Sequence, residues 1–186
     1  MMDKFSLRSR QEGYLGRSVY KLLFLNRKYR IIKQGNKVLD LGCYPGSWLQ
    51  AINQLKANAY GVDVRQIKNL PNVKFILGSV MNENTINKIK FFGKFEVVLS
   101  DLSPKTTGDK MLDEERSFEL SMQAFNIAKE VLKPKGNFVC KIFQSGKFNE
   151  FLNLMKKHFS FVKSTKPEAS KKSSKEMYIV AFGYKT

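Results

Sequence analysis

The order of apolar runs and amphipathic stretches predicts an α/β protein: a seven-stranded, mostly parallel sheet with an antiparallel last strand and helices on both faces. Three observations carry this. Strand-like and helix-like segments alternate along most of the 186 residues. The stretch Lys37 to Gln50, KVLDLGCYPGSWLQ, reads as a buried strand, a tight Gly-rich turn and the opening of a helix. The final two strand-like runs, FSFVKST and MYIVAFGY, are joined by a loop and not by a helix, which makes them an antiparallel pair. No repeat or linker divides the chain, so residues 1–186 are expected to form one domain, large enough to bury a real core.

Taken in order, residues 1–16 are expected to be a flexible basic arm. From Arg17 to Arg30, Val19, Leu22 and Leu23 with interleaved Tyr20, Phe24 and Tyr29 predict a basic amphipathic helix, its apolar side on the sheet. Val38, Leu39 and Leu41 make the first strand, interrupted by Asp40, and Gly46 to Leu55 the helix after it. AYGVD and VKFIL (Val73 to Leu77) are the second and third strands, with a polar helix over Asn82 to Lys90. FEVVLSD (Phe95 to Asp101) is the fourth strand, and SPKTTGDK after it is a loop. Asp113 to Leu132 is the clearest helix, with acids suited to its N-terminal dipole and an apolar stripe of Phe118, Met122, Phe125, Ala128 and Leu132 read as core. Pro134 and Gly136 stop it before the fifth strand, Gly136 to Phe143. A helix over Lys147 to Phe159 precedes the closing pair, whose connecting loop, Lys166 to Lys175, is either a solubilising hairpin or a basic clamp.

Composition narrows the partners. Lys and Arg number 33 against 16 acids, a formal charge of +17. That surplus points to a polyanion, nucleic acid ahead of a membrane surface. Residues 1–37 concentrate it, with ten Lys/Arg against two acids. Arg10, Arg17, Lys21, Arg27, Lys171 and Lys172 are the candidate RNA contacts. No apolar run approaches a membrane span, and the N-terminus lacks a signal-peptide core. Cys43 and Cys140 match no metal spacing and are expected to be reduced core thiols, so the location is expected to be cytoplasmic, or an organelle if the source is eukaryotic. His158 is the single histidine, which removes a His-based triad and a His-rich metal site; it is expected on the surface.

The Gly turn is the first candidate site. Gly42, Pro45 and Gly46 let backbone approach a ligand, and Asp63 ends a strand 21 residues beyond Gly42, where a doubly wound sheet presents a carboxylate to a ribose. The pattern is GxxPG and not GxGxxG. Without the middle glycine a pyrophosphate is disfavoured, so NAD recedes and S-adenosylmethionine (SAM) gains. Asp101 places a second carboxylate at the strand edge where ligands gather. Lys141 interrupts the apolar VCKIF, and a lysine in a strand buried on both faces is costly unless paired or functional. Lys21 and Glu176, taken alone, are ordinary surface charges.

Together these blocks resemble the FtsJ-like family of SAM-dependent RNA ribose 2′-O-methyltransferases. The resemblance runs from Arg17 onward, through RSVYKLL, VLDLGCYPGSW, SDLSPKTTG, VCKIFQSG and SKEMYIVAFGYK. It implies a Rossmann-like methyltransferase fold and a catalytic tetrad at Lys21, Asp101, Lys141 and Glu176, with Lys141 as proton acceptor. It implies SAM, leaving as S-adenosylhomocysteine, held by Gly42, Pro45, Gly46, Trp48, Asp63 and Asp101 and no metal. Where relatives carry an acid after the third strand, this chain has Gly78-Ser79, so Ser79 or a backbone group nearby is expected to replace that adenine contact. The acids beside Lys141 favour its charged form, while burial and Lys21 favour the neutral one. The compact chain resembles the branch acting on large-subunit ribosomal RNA, as a monomer. A tRNA anticodon loop, an mRNA cap, a non-catalytic RNA-binding module and, more distantly, a NAD-dependent oxidoreductase are the alternatives.

Overall fold

The computed structural model describes residues 3–171 and 173–185. Its strands are β1 (Lys37–Leu41), β2 (Asn58–Asp63), β3 (Val73–Leu77), β4 (Phe95–Ser100), β5 (Leu132–Phe143), β6 (Phe159–Thr165) and β7 (Glu176–Tyr184). Its helices are α1 (Lys4–Gln11), α2 (Val19–Tyr29), α3 (Ser47–Gln54), α4 (Glu83–Phe91), α5 (Lys110–Val131) and α6 (Phe148–His158). All seven strands form one sheet, in the order β3-β2-β1-β4-β5-β7-β6. β7 runs antiparallel to both neighbours; the pairings among β1 to β5 are parallel. The chain therefore starts at β1 in mid-sheet, works outward to β3, and crosses over to β4. That crossover opens a crevice above the C-terminal ends of β1 and β4.

Each sheet face buries its own apolar cluster. On one side α2 and α3 contribute Val19, Leu22, Leu25, Trp48 and Leu49, packed with Val38, Val97, Val139 and Val180. On the other, Ile86 and Ile89 of α4, Phe125 and Ile127 of α5 and Phe151 of α6 pack with Leu39, Val98 and Phe138. The helix periodicity and the strand alternation thus feed two layers of side chains onto one sheet.

Four expectations are corrected. Residues 4–11, expected within a flexible arm, form a helix: the Asp3 side chain caps it by accepting from the Phe5 and Ser6 amides, and the Phe5 ring sits 5.6 Å from that of Tyr20. α5 begins earlier than Asp113, because Asp109 is its N-cap and accepts from the Met111 and Leu112 amides. Strand β5 begins at Leu132, before Pro134 and Gly136, with a register shift against β4 at Phe95/Val97. His158 is half-buried; its ring packs edge-on against Phe125 at 5.0 Å. The other elements keep their sequence-predicted type, with ends moved by a residue or two.

Candidate active site

A cleft of about 450 Å³ opens at the crevice above β1 and β4. Its floor and walls include Gly42, Asp63, Ser79 and Asp101, together with Lys21, Lys141 and Glu176. The tetrad residues come from four separate elements and converge at one end.

Strand pairing explains the convergence. Ser100 is in register with Cys140, so the next positions, Asp101 and Lys141, emerge side by side from parallel β4 and β5. On the other flank Lys141 pairs with Tyr178, and Glu176 lies two residues along β7 from Tyr178, on the same face. Lys21 enters from α2 above. Lys141 Nζ is 3.2 Å from Asp101 Oδ1 and 3.9 Å from Glu176 Oε1, and donates to the Asp101 backbone carbonyl at 2.9 Å. Lys21 Nζ is 2.8 Å from Glu176 Oε2. The main chain of Lys141 is fastened from below, where the Ser121 hydroxyl donates to its carbonyl at 3.0 Å.

Two groups that the sequence reading passed over belong to this cluster. The Tyr178 hydroxyl donates to Asp101 Oδ1 at 2.5 Å, and its ring lies under the Lys21 ammonium at 5.7 Å. Burial first, then the Asp101 and Glu176 charges, push the Tyr178 phenol well above its ordinary range, so it stays a donor. The i, i+2 spacing from Glu176 on a strand is the signal that could have found it. Asp40 is the second. Both its carboxylate oxygens are buried with no partner, and burial, then Asp101 and Asp63, raise its carboxyl well above the usual range. For Asp101, burial opposes ionisation, but the Lys141 and Lys21 charges and the Tyr178 hydrogen bond outweigh it and hold the carboxyl below its ordinary value.

The cofactor candidates divide. Gly42 lines the cleft at φ +81°, and an added Cβ would come within 2.9 Å of the Leu102 side chain. Asp63 accepts from the Tyr44 amide and from the Arg65 amide, each at 2.9 Å, which fixes its carboxylate at the cleft wall. Arg65 stacks over the Tyr44 ring at 3.8 Å, and both residues line the same wall. Ser79 reaches the cleft with its hydroxyl accepting from the Met81 amide at 3.2 Å. Pro45, Gly46 and Trp48 do not line it. Gly46 caps α3 at φ +110°, and Trp48 is buried, donating its indole N–H to the Ser18 carbonyl at 2.8 Å. They hold the turn from beneath.

The proposed RNA contacts also divide. Arg10, Arg27 and Lys171 are exposed. Arg17 is tied to Asp3 at 2.7 Å, and Lys21 is buried in the cluster and absent from the outer basic face. Lys172 lies outside the described residues. Cys43 and Cys140 are buried free thiols, and burial pushes that of Cys140 up to about 12. Among the described residues no group of three or more His, Cys, Asp or Glu could hold a metal, and no helix is long and apolar enough to cross a membrane.

A seven-stranded sheet with this order, a cleft at its crossover and a Lys/Asp/Lys/Glu cluster with both lysines buried define a methyltransferase of the Rossmann-like class. Residues 14–184 match the model of the FtsJ-like methyltransferases, and the chain belongs to that family. A protein of Archaeoglobus fulgidus named ribosomal RNA large subunit methyltransferase E is 44% identical over 96% of this chain and 94% of its own. Its namesake in Borrelia garinii subsp. bavariensis is 40% identical, over 96% and 94%. A crystal structure of a putative ribosomal RNA methyltransferase from Plasmodium falciparum superposes with a TM-score of 0.84 at 29% identity, covering 92% of this chain and 98% of that one.

Proposed function

We propose that the protein methylates a ribose 2′-hydroxyl of large-subunit ribosomal RNA, using S-adenosylmethionine. The observation that carries this reading is the cluster of Lys21, Asp101, Lys141 and Glu176 at the end of a nucleoside-sized cleft. The relatives' names supply the substrate class.

The cleft fits the cofactor on its own chemistry. Asp63 is held where a ribose diol would be met, and Gly42 gives close backbone approach. Asp63, Asp101 and Glu176 line it, and acids suit a cationic nucleoside far better than a pyrophosphate. Ser79, Val80 and Met81 at the end of β3 would meet the adenine. When bound, SAM supplies a methyl group already activated by its sulfonium.

What remains for the chain is to place one oxygen and remove one proton. Lys141, as the neutral amine, takes the proton from the 2′-oxygen onto Nζ. The ammonium so formed is held by the Asp101 carboxylate and carbonyl and by Glu176. While Lys141 is neutral, the Lys21 charge and the Tyr178 hydrogen bond favour the Asp101 carboxylate, and the ammonium then formed on Lys141 adds to them. Lys21, anchored by Glu176, faces the incoming ribose and orients it.

The test is transfer of labelled methyl from SAM to purified large ribosomal subunits, free ribosomal RNA and bulk tRNA, with the label mapped to ribose or base. Ribose label on the subunits, lost in Lys141→Met while SAM still binds, supports the reading. Label on tRNA alone moves the substrate, and full turnover by Lys141→Met removes the proton-acceptor role. No label despite SAM binding would favour a non-catalytic RNA-binding module.

A further inference from the structure

A second hollow, of about 320 Å³, lies on the flank of α2 next to the one that bears the cleft's Lys21. Tyr20, Phe24 and Arg27 line it from α2, Phe5 and Arg8 from α1, and Glu168 and Ala169 from the segment before β7. The α2 residues recur at a spacing of four and three, so they share one helix face, one residue round from Lys21. Nothing in the mechanism above uses this hollow.

Its chemistry is specific. Three aromatic rings furnish walls with π faces, and the size suits a single base. Arg27 is exposed and makes no ion pair or hydrogen bond among the described residues, which leaves its guanidinium open to a phosphate. Arg8 is engaged otherwise, bound to Glu12 at 2.7 Å and lying over the Tyr20 ring at 4.8 Å. Glu168 is exposed and unpaired in the same sense. On a protein with net charge +17 a free carboxylate beside a free arginine in an aromatic hollow is not a general anion trap. It accepts hydrogen bonds from a base edge that carries donors. Guanine, with adjacent N1–H and N2–H₂ donors, matches a carboxylate best.

The wall that bears Glu168 is built, not floating. Pro167, Ala169 and Ser170 are buried, and Ala169 joins the apolar cluster under α2. Of the connection over residues 166–175, expected to be either a solubilising hairpin or a basic clamp, residues 167, 169 and 170 are thus packed down and Lys166, Glu168 and Lys171 are exposed. The same segment runs directly into Glu176, and the same helix carries Lys21. The hollow and the tetrad are therefore linked through α2, which lines the first with Tyr20, Phe24 and Arg27 and supplies Lys21 to the second.

We propose that this hollow is a subsite for one unstacked guanine nucleotide of the RNA substrate. Phe5 and Phe24 contact the base, with Tyr20 buried behind them, Glu168 reads its Watson–Crick edge and Arg27 takes a phosphate. Its occupant fixes the strand's register on α2 and so selects which ribose reaches Lys141. The inference rests on the RNA reading above, and its test separates the two.

Radiolabelled 5′-GMP is equilibrated by dialysis with the full chain, the cofactor cleft filled with S-adenosylhomocysteine. Saturable binding, weaker for 5′-UMP and 5′-AMP and lost in Arg27→Ala, is expected; Glu168→Gln should abolish the preference for GMP. Phe24→Leu keeps apolar volume and so guards against simple unfolding. In methylation assays it should raise the KM for RNA about ten-fold, with kcat and SAM affinity kept. GMP binding with this pattern supports the subsite even if the methylated RNA is another one. No GMP binding, or an RNA KM unchanged in all three variants of an active enzyme, overturns the subsite and leaves the methyltransferase reading intact.

Discussion

At the scale of single residues, the cluster works because each polar group is assigned to another. Tyr178 is the clearest case: its hydroxyl joins the Lys141 and Lys21 charges in keeping the Asp101 carboxylate ionised where burial alone would neutralise it. Tyr178→Phe should raise the Asp101 carboxyl toward its ordinary range. The acid limb of kcat/KM then moves to higher pH. Asp101 contributes stability above the usual aspartate pKa, lost as pH falls through its depressed value, so the variant should also lose about 1.5 kcal/mol at neutral pH in urea unfolding. An unmoved acid limb would leave Tyr178 a packing residue. Asp40 works with the opposite sign. A carboxyl whose folded value is raised contributes most below the usual aspartate value, about 3.9, and that contribution disappears as pH rises through the raised one. Asp40→Asn does not ionise, so its melting temperature relative to the parent should climb from pH 5 to pH 8; a constant difference would refute the buried-acid account. Comparing the two proteins cancels the acid loss due to Asp101.

At the scale of elements, the β1–α3 turn and the end of β4 constrain each other. Gly42 stands at φ +81°, with Leu102 backbone atoms 3.1 Å from where a Cβ would be. Any side chain there must shift the very loop that follows Asp101. Gly42→Ala should cost about 1–3 kcal/mol of stability and weaken SAM binding together, read by urea unfolding and calorimetry. Loss of stability with full SAM affinity would show that the turn supports the fold and not the cofactor. The loop after Asp101 has its own anchor, since buried Asp113 accepts from the Thr107 amide at 2.8 Å and from its hydroxyl at 3.0 Å. Sequence spacing had assigned Asp113 to the helix dipole. The helix starts three residues earlier, at Lys110, and Asp113 remains the acid of its first turn while its carboxylate is buried and accepts from Thr107.

At the scale of the whole molecule, charge sets how RNA is met. A surplus of +17 over 186 residues should release many counterions on binding. The logarithm of RNA affinity should fall with the logarithm of salt at a slope steeper than about −3, as for four or more neutralised phosphates on single strands. Filter binding at several salt concentrations measures it, and a flat response would remove the basic surface from the account. The exposed Arg10, Arg27 and Lys171 are the contributors from the candidate set; Arg17 and Lys21 are committed to Asp3 and Glu176.

The fold class, seven strands in order and the antiparallel ending were legible in the sequence, because they rest on local periodicity; Lys21 and Glu176 entered the candidate site only through the family resemblance, since taken alone each reads as a surface charge. The Gly turn and Asp63 were legible from residue types at fixed spacing. Tertiary structure decided what depends on neighbours distant in the chain: that Trp48 props the turn and leaves the cleft to others, that Tyr178 bonds Asp101 across 77 residues, and that α1 folds onto α2. It also decided that Asp40 is an unpartnered buried acid. A hydrophobic pattern states which side of an element is covered, but not by what, and hydrogen-bond partners and burial are properties of the covering.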